Sequence, residues 1–478
     1  MSFVPNPRIL TATAFAALLA SCAVGPKAPD ATLPPLASGA FIGSTGSSVT
    51  AQAAARDDWW RLYDDAVLDG LVGQALANNN ELEAAAANLR RVRAALGEAR
   101  VGRFPSTTTS AGFTNGRPSA ATVPGLPAGE DAPESDTYNA GLDVSYEIDL
   151  FGRVESTIRA ARADAAAAES ALNIVRVTVA AETARAYADA CSANAQIGVA
   201  ERTIELQSNS VDLTQRLLDA GSGNGLDTSR ARAALESTRA SLPPLRAQRD
   251  GALFRLATLT GVTPAEASEA ARACQSPPQL SQPIPIGDGA ALLARRPDVR
   301  QAERNLASAA ARVNVATADL YPRISLGGSL GATALEADGL GDSENFRFSV
   351  GPLISWSFPN VFAARARIEQ AGAASDAALA TFDQTVLVAL QETETALTNY
   401  ANELDRRAAL RAARDQAANA ARLSRLRFDA GADSFLTVLD AERTLASADA
   451  QLASSDALVT TYQIALFKAL AGGWTSEA

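Results

Sequence analysis

The sequence has no histidine, and only two of its 478 residues are lysine, Lys27 and Lys468. Without histidine, Ser-His-Asp triads, Cys-His dyads and imidazole-bound zinc sites are excluded. The sequence also lacks a Gly-rich phosphate loop of the P-loop type, and its three cysteines do not have the spacing of a metal site. We therefore expect no enzyme activity, no cofactor and no metal.

Positive charge and aromatic side chains are also scarce. The formal net charge is −11 at pH 7, and aromatic residues make up 5% of the chain. A nucleic-acid partner requires a basic face for its phosphates, so we expect none. Alanine is abundant instead, which favours long helices that pack closely.

The N-terminal region has the pattern of a secretory signal. Arg8 precedes the apolar run 9–20, which is too short to cross a bilayer. The run ends in Leu-Ala-Ser-Cys at 19–22, which resembles the lipobox of bacterial lipoproteins. The resemblance implies cleavage before Cys22 and acylation of Cys22. No Asp follows Cys22, which implies retention in the outer membrane. An ordinary signal peptide with a chance cysteine is the alternative.

The other two cysteines show no local pairing pattern. Cys191 falls within a predicted helix, and Cys274 falls in a Pro-rich connector. We expect both to be small, partly buried apolar side chains.

The chain contains an internal duplication. Residues 219–242 (DAGSGNGLDTSRARAALESTRASL) match 429–452 (DAGADSFLTVLDAERTLASADAQL), and residues 81–105 match 298–322. Each copy is predicted to run helix, Phe/Tyr-Pro, strands, very long helix, Ala-Gly turn and return helix. The predicted divisions are a signal peptide (1–21), a lipidated extended segment (22–56), the first repeat (57–270), a Pro/Gly-rich linker (271–290), the second repeat (291–472) and a C-terminal tail (473–478).

Two stretches of the sequence predict unusually long helices. Residues 154–220 and 363–430 contain no proline and one glycine each. Helices of this length are several times longer than average and pack like coiled coils. Pro243 and Pro244 should break the return helix of the first copy, whereas residues 434–470 contain no such break.

Four stretches predict β-strands. Residues 138–148 and 346–358 alternate apolar and polar side chains, 324–332 alternate weakly, and 106–114 hardly alternate. Such alternation is typical of a transmembrane β-strand, although a half-buried strand in a soluble sandwich gives the same pattern.

A membrane location would place a demand on these strands. Four strands cannot close a barrel, and an open sheet edge cannot lie in lipid. Two or three chains would therefore have to pool their strands. Asp143 and Glu147, on the polar face, would then line the lumen.

Several motifs occur in a characteristic order. They are Cys-Ala-Val-Gly-Pro (22–26), Ile-Asp-Leu-Phe-Gly (148–152), Leu-Leu-Ala-Arg-Arg-Pro-Asp-Val-Arg-Gln-Ala-Glu (292–303), Tyr-Pro (321–322) and Leu-Thr-Val-Leu-Asp-Ala-Glu-Arg (436–443). Together they resemble the TolC-like outer-membrane efflux factors, particularly the lipoprotein branch that serves resistance-nodulation-division pumps. The match runs from the signal peptide to about Gly472.

This resemblance implies a mostly α-helical fold with a β-barrel portion. Three chains would form a twelve-stranded barrel in the outer membrane and a long α-barrel in the periplasm. An equatorial girdle would include the linker near Cys274. The function would be a passive exit duct for small molecules, docked to a periplasmic adaptor and an inner-membrane resistance-nodulation-division transporter. The protein would be lipid-anchored.

The resemblance also implies a gate. The Ala-Gly corners at 220–221 and 430–431 would lie at the periplasmic tip. The positions that constrict the closed aperture correspond to Leu436, Asp440 and Arg443. The first copy supplies Leu226 and Arg230, and the difference from Asp440 suggests an Arg230–Asp440 pair. Asp227 and Asp433 are expected in the same cluster.

Two other functions fit parts of this pattern. One is an outer-membrane duct for type I protein secretion. The other is a structural periplasmic coiled-coil lipoprotein, which would not need the alternating strands.

Overall fold

A computed structural model describes residues 24–27, 29, 31–44, 50–51, 53, 55–127, 129–280, 282–358 and 361–470. The predicted signal peptide (1–21), the acylation site Cys22 and the tail (473–478) lie outside the described residues. The statements below concern the described part of the chain.

Helices dominate the described chain. They are α1 (Ala66–Asn78), α2 (Asn80–Val101), α3 (Arg153–Asp219), α4 (Gly225–Arg239), α5 (Leu242–Leu259), α6 (Glu269–Arg272), α7 (Gly289–Arg295), α8 (Pro297–Ala318), α9 (Val361–Asp429) and α10 (Phe435–Leu470). The two very long helices are confirmed, with 67 residues in α3 and 69 in α9. Nowhere in the described helices do length and apolar character together reach what a membrane-crossing helix requires.

The predicted break in the first return helix is confirmed. Helix α4 ends at Arg239, and α5 begins at Leu242 with the two prolines in its first turn. Proline is tolerated there because the first N–H groups of a helix have no intrahelical partner. Helix α10 runs through 36 residues without interruption.

The four predicted strands are confirmed as one antiparallel sheet. Strands β2 (Ser106–Gly116), β3 (Ser135–Ile148), β5 (Arg323–Ala334) and β6 (Phe346–Ser355) pair in the order β2-β3-β5-β6. Strand β6 ends earlier than the alternation suggested, because Ser355 pairs with Arg323, the first residue of β5. A second, two-stranded sheet pairs β1 (Thr50–Ala51) with β4 (Ile284–Pro285) in parallel.

The described residues fall into two compact units. The first contains the segment up to Ala31 together with Arg90–Ala167 and Ala302–Phe382, and so includes the four-stranded sheet. Its helical part buries a small cluster of apolar side chains: Leu96, Val154, Ile158 and Ala165.

The second unit contains Thr32–Leu89, Ala168–Gln301 and the chain from Asp383 onward. Its core includes Trp59, which is 1% exposed and stacks on Phe467 with ring centroids 4.9 Å apart. Beside them, the Tyr63 hydroxyl donates to Gln463 (3.3 Å), whose amide donates to the hydroxyl of Tyr400 (3.1 Å). Burial raises the pKa of Tyr63 well above its usual value. These three polar side chains therefore have partners, as burial requires.

The expectation for Cys191 and Cys274 is wrong, because the two residues form a disulfide. They are separated by 83 positions in sequence, and their Cα atoms lie 5.1 Å apart. Asn194, one turn along α3, donates its side-chain amide to the carbonyl of Cys274 at 2.7 Å. The connector is thus held against α3 by covalent and polar contacts. No local spacing could reveal a bridge between a mid-helix position and a distant connector.

Candidate gate and pore-lining residues

Each long helix ends in a tight corner that requires glycine. Gly221 follows α3 with φ +71°, and Gly431 follows α9 with φ +73°. This left-handed backbone is disfavoured for residues with a Cβ atom. In the first corner the N–H of Gly223 donates to the carbonyl of Leu217 at 2.8 Å, and in the second the N–H of Ala432 donates to Arg427 at 2.9 Å. The duplicated Asp-Ala-Gly motifs therefore build two similar turns.

The two return helices pack against each other just after these corners. Ala231 and Ala234 of α4 share a buried apolar cluster with Phe435, Val438 and Leu439 of α10. The small side chains of one copy accommodate the large ones of the other. This packing fixes which face of α10 remains outside the cluster.

Leu436 and Asp440 lie on that outer face of α10. They are four residues apart and therefore share one side of the helix. Leu436 is 40% exposed, and Asp440 is also exposed. The Asp440 carboxylate has no hydrogen-bond or ion-pair partner within the described part of the chain. An apolar side chain and an unpaired carboxylate thus project together from the second corner.

Three further predicted gate residues lie close together beside Asp440: Arg443, Arg230 and Asp227. Arg443 Nη2 donates to the main-chain carbonyl of Arg230 at 3.4 Å, and Arg230 Nη1 lies 4.0 Å from Asp227 Oδ1. The side-chain amide of Asn224 donates to Asp227 at 2.8 Å. Within one chain the suggested Arg230–Asp440 pair is not made. Asp227 is the nearer carboxylate, because it lies three residues earlier on the same helix.

Asp433 does not join this cluster within the chain. Its carboxylate accepts two hydrogen bonds across the second corner, one from Arg427 Nε at 2.6 Å and one from Arg427 Nη2 at 3.1 Å. These hydrogen bonds from the guanidinium lower the pKa of Asp433. The ion pair joins the end of α9 to the start of α10, and we call it the corner clamp.

A further polar cluster near the corners was missed by the sequence reasoning. Ser210 donates to Glu442 at 2.8 Å, and Arg425 lies 3.4 Å from the same carboxylate. Glu442 follows Val438 by four residues and Leu439 by three, and so falls on the buried face of α10. A carboxylate that falls on the apolar face of a helix in the sequence pattern indicates a partner inside the protein, because burying an unpaired charge is costly.

The sheet separates polar and apolar side chains as the alternation predicts. Its apolar face carries Leu142, Leu330 and Phe348 in one row of paired residues. On this face Phe348, Val350 and Ile354 are 74%, 76% and 66% exposed. A soluble sandwich would bury such a face against a second sheet. The soluble-sandwich alternative is therefore not supported.

The polar face of the sheet carries the two predicted lumen residues. Asp143 shares a row with Thr108, Ser329 and Ser349, and it has no side-chain partner among the described residues. Glu147 accepts two hydrogen bonds from Arg153, one of them from Nε at 2.8 Å. Its charge is therefore compensated by Arg153, whereas the described residues offer no such partner to Asp143.

Comparison with known proteins identifies the family. The family model of the outer membrane efflux proteins matches residues 71–262 and 290–472. The chain belongs to the outer membrane efflux protein family. The two matched segments cover most of the two predicted repeats.

Individual members of the family resemble the chain over most of its length. Outer membrane protein OprJ of Pseudomonas aeruginosa is 32% identical over 438 residues, which cover 90% of this chain and 89% of OprJ. The pyoverdine export outer membrane protein OpmQ of the same species is 30% identical, with 89% and 90% covered. Among solved structures, the outer-membrane channel OprN has a TM-score of 0.88 and 38% identity, covering 95% of this chain and 100% of OprN.

These likenesses confirm the TolC-like fold that the motifs implied. The protein is the outer-membrane channel component of an efflux system. The alternative of a structural coiled-coil lipoprotein is not supported, since such a protein would not need a sheet with an exposed apolar face. The relatives are efflux proteins, so the comparisons do not favour a type I secretion duct either.

Proposed function

We propose that three copies of the chain close a twelve-stranded barrel and form a passive exit duct for small molecules. The observation that carries this proposal is the sheet, whose outer edges at β2 and β6 have no partner strand among the described residues and whose apolar face is exposed. Lipid cannot satisfy the N–H and C=O groups of an open edge. Joining β6 of one copy to β2 of the next removes every edge once the ring closes.

The duct works with two partners. A periplasmic adaptor and an inner-membrane resistance-nodulation-division transporter deliver cargo to it. Support comes from the motif resemblance and from relatives such as the toluene efflux pump outer membrane protein TtgF of Pseudomonas putida. The passive role is what the resemblance to the TolC-like efflux factors implies.

Cys22 anchors the duct to the outer membrane through acylation. The other two cysteines are consumed by the disulfide, so Cys22 is the one thiol left for lipid attachment. Mass spectrometry of the mature N-terminus is expected to find an acylated Cys22. A Cys22→Ser variant should lose the acyl groups, and a free Cys22 thiol in the mature protein contradicts the anchor.

The gate lies at the corners. Under three-fold symmetry each residue becomes a ring, so Leu436 supplies an apolar constriction and Asp440 a ring of unpaired carboxylates. Arg443 joins the two return helices through its bond to the main-chain carbonyl of Arg230, and Arg230 lies near Asp227 within α4. With no partner among the described residues of its own chain, the Asp440 carboxylate is available to cations in the lumen or to a neighbouring copy.

Disulfide trapping tests the barrel. A cysteine at Thr108 on β2 is combined in turn with cysteines at Ser349, Gly351 and Leu353 on β6. At least one pair should yield, after oxidation, a covalent species of three chains on denaturing gels. The matched control pairs Thr108→Cys with Ser329→Cys on the central strand β5, which should give no three-chain species. Monomers or dimers from every edge pair contradict the three-chain barrel.

A further inference from the structure

Some charged side chains on the polar face of the sheet have an ion-pair partner among the described residues and others do not. Its ionisable side chains are Asp143, Glu147, Arg323 and Arg347, as the strand register shows. Glu147 is paired with Arg153, and Arg323 donates to Asp319 at 2.7 Å. Asp143 and Arg347 are exposed and have no partner among the described residues. Two uncompensated charges of opposite sign therefore remain on this face.

The residues beside Arg347 leave its side chain unobstructed. Its row across the sheet is Gly331 on β5, Gly141 on β3 and Ser110 on β2. A Cβ atom at Gly331 would lie 2.6 Å from the carbonyl oxygen of Ala140, so the strand pairing itself excludes a side chain there. On this face neither β5, which pairs with β6, nor β2, which the proposed barrel places on the other side of β6, carries a carboxylate. Arg347 is the largest side chain projecting from this part of the polar face.

Arg347 and Asp143 occupy adjacent rows of the same face. Asp143 shares its row with Ser349, which lies two residues after Arg347 on β6. Arg347 is the second residue of β6, next to the connection between β5 and β6. The guanidinium row therefore lies nearer to the β5–β6 turn than the carboxylate row does.

We propose that Arg347 is a selectivity-determining residue of the pore, at which anionic groups of cargo bind as they pass the barrel. The inference rests on the proposed three-chain barrel, which turns each row into a ring. A guanidinium binds carboxylate or phosphate oxygens with two parallel hydrogen bonds, and an unpaired one keeps both donors available. The Asp143 ring beside it opposes this effect and discriminates against the same anions.

The expected size follows from Coulomb's law. Three unit charges about 10 Å from a passing ion in water change its local concentration about fivefold at an ionic strength of about 0.01 M, and about twofold at about 0.1 M. The effect must therefore fall with added salt, which separates it from a change in pore width.

Reversal potentials across planar bilayers in potassium chloride gradients test the proposal. Arg347→Gln should lower the ratio of chloride to potassium permeability by about fivefold or more at low salt. Asp143→Asn should shift the ratio in the opposite direction. Citrate, used as a polycarboxylate probe, should reduce the wild-type current and lose this effect in Arg347→Gln.

Arg347→Lys is the matched control. It keeps the charge but not the planar pair of donors, so ion selectivity should persist while citrate block weakens. A wild-type ratio and wild-type citrate block in Arg347→Gln overturn the proposal. If Arg347→Gln still forms three-chain, conducting pores, the barrel stands and only this inference falls. A wild-type protein that forms no pore overturns both.

Discussion

The two corners share their backbone fold but are closed by different chemistry. In the first, Gly223 folds back so that its N–H reaches the carbonyl of Leu217 at 2.8 Å. The equivalent position in the second corner is Asp433, which reaches Arg427 through its side chain at 2.6 Å. Arg427 is itself the counterpart of Leu217. Both corners share one main-chain bond to this position, from Ser222 to Leu217 at 3.0 Å and from Ala432 to Arg427 at 2.9 Å. The first corner adds a second main-chain bond from Gly223, whereas the second adds the corner clamp.

This difference shows how a duplicated chain acquires a non-equivalent tip. Asp440 corresponds to Arg230, and Arg443 corresponds to Ala233. The first copy keeps its charged pair, Asp227 and Arg230, within α4 at 4.0 Å, whereas Asp440 in the second has no such partner in the described part of the chain. Backbone duplication therefore preserves the turns, and side-chain divergence gives the second copy the free carboxylate. We expect gating to depend more on the second corner.

The largest expected effect concerns the disulfide, which ties the long helix of the first copy to the linker and has no counterpart in the second copy. The position that corresponds to Cys191 in the second long helix is Ala401. The bridge closes a loop of 83 residues, so removing it should reduce the free energy of unfolding by about 4.5 kcal/mol through loop entropy. The double variant Cys191→Ser, Cys274→Ser should show a lower thermal midpoint.

The control for this prediction is the wild-type protein treated with reductant. Reductant should reach the bridge from the side of Cys274, which is partly exposed, although Cys191 is fully buried, and the reduced protein should match the double variant. A double variant with an unchanged midpoint contradicts a stabilising role for the bridge.

The second effect comes from exchanging the residues at the equivalent corner positions, Gly223 in the first corner and Asp433 in the second. A Cβ atom at Gly223 would lie 2.9 Å from main-chain atoms of Leu217 and Leu218, so Gly223→Asp must displace the turn. We expect the free energy of local opening at this corner to fall by about 1–3 kcal/mol, as in other overpacked sites. Hydrogen exchange of residues 217–226 measures it.

The reciprocal variant, Asp433→Gly, serves as the comparison. It removes the exposed corner clamp without creating a clash, so exchange at the second corner should accelerate less. Equal acceleration at both corners contradicts the distinction between main-chain and side-chain closure.

The smallest effect is the pH dependence of the corner clamp. The folded-state pKa of Asp433 is lowered, so the clamp stabilises the second corner above the usual pKa of Asp, about 4, and this contribution is lost as pH falls further. After correction for intrinsic rates, exchange at residues 427–436 should accelerate below about pH 4 relative to residues 217–226. Arg427→Gln should abolish this difference in exchange between the two corners. If the difference persists in the variant, the pH dependence arises from another group.

Sequence reasoning predicted most of the fold and part of the site. Local signals were sufficient for the long helices, the Pro243–Pro244 break and the alternating faces around Asp143. Contacts between distant segments were not predictable, because neither the Cys191–Cys274 bridge nor the Ser210–Glu442 contact has a local spacing. The position of Asp433 next to the second corner favours the gate cluster. Its bond to Arg427 could not be predicted, because it depends on how tightly the turn closes.

Single-channel conductance tests the central claim, that the second corner carries the gate of an outer-membrane channel. Leu436→Ala, Asp440→Ala and Arg443→Ala are compared, alone and combined, with the first-copy variants Leu226→Ala and Arg230→Ala. The second-copy variants should give larger currents, and Asp440→Ala should also be less cation-selective, while the first-copy variants change the current less. Three second-copy variants indistinguishable from wild type would contradict the assignment of the gate.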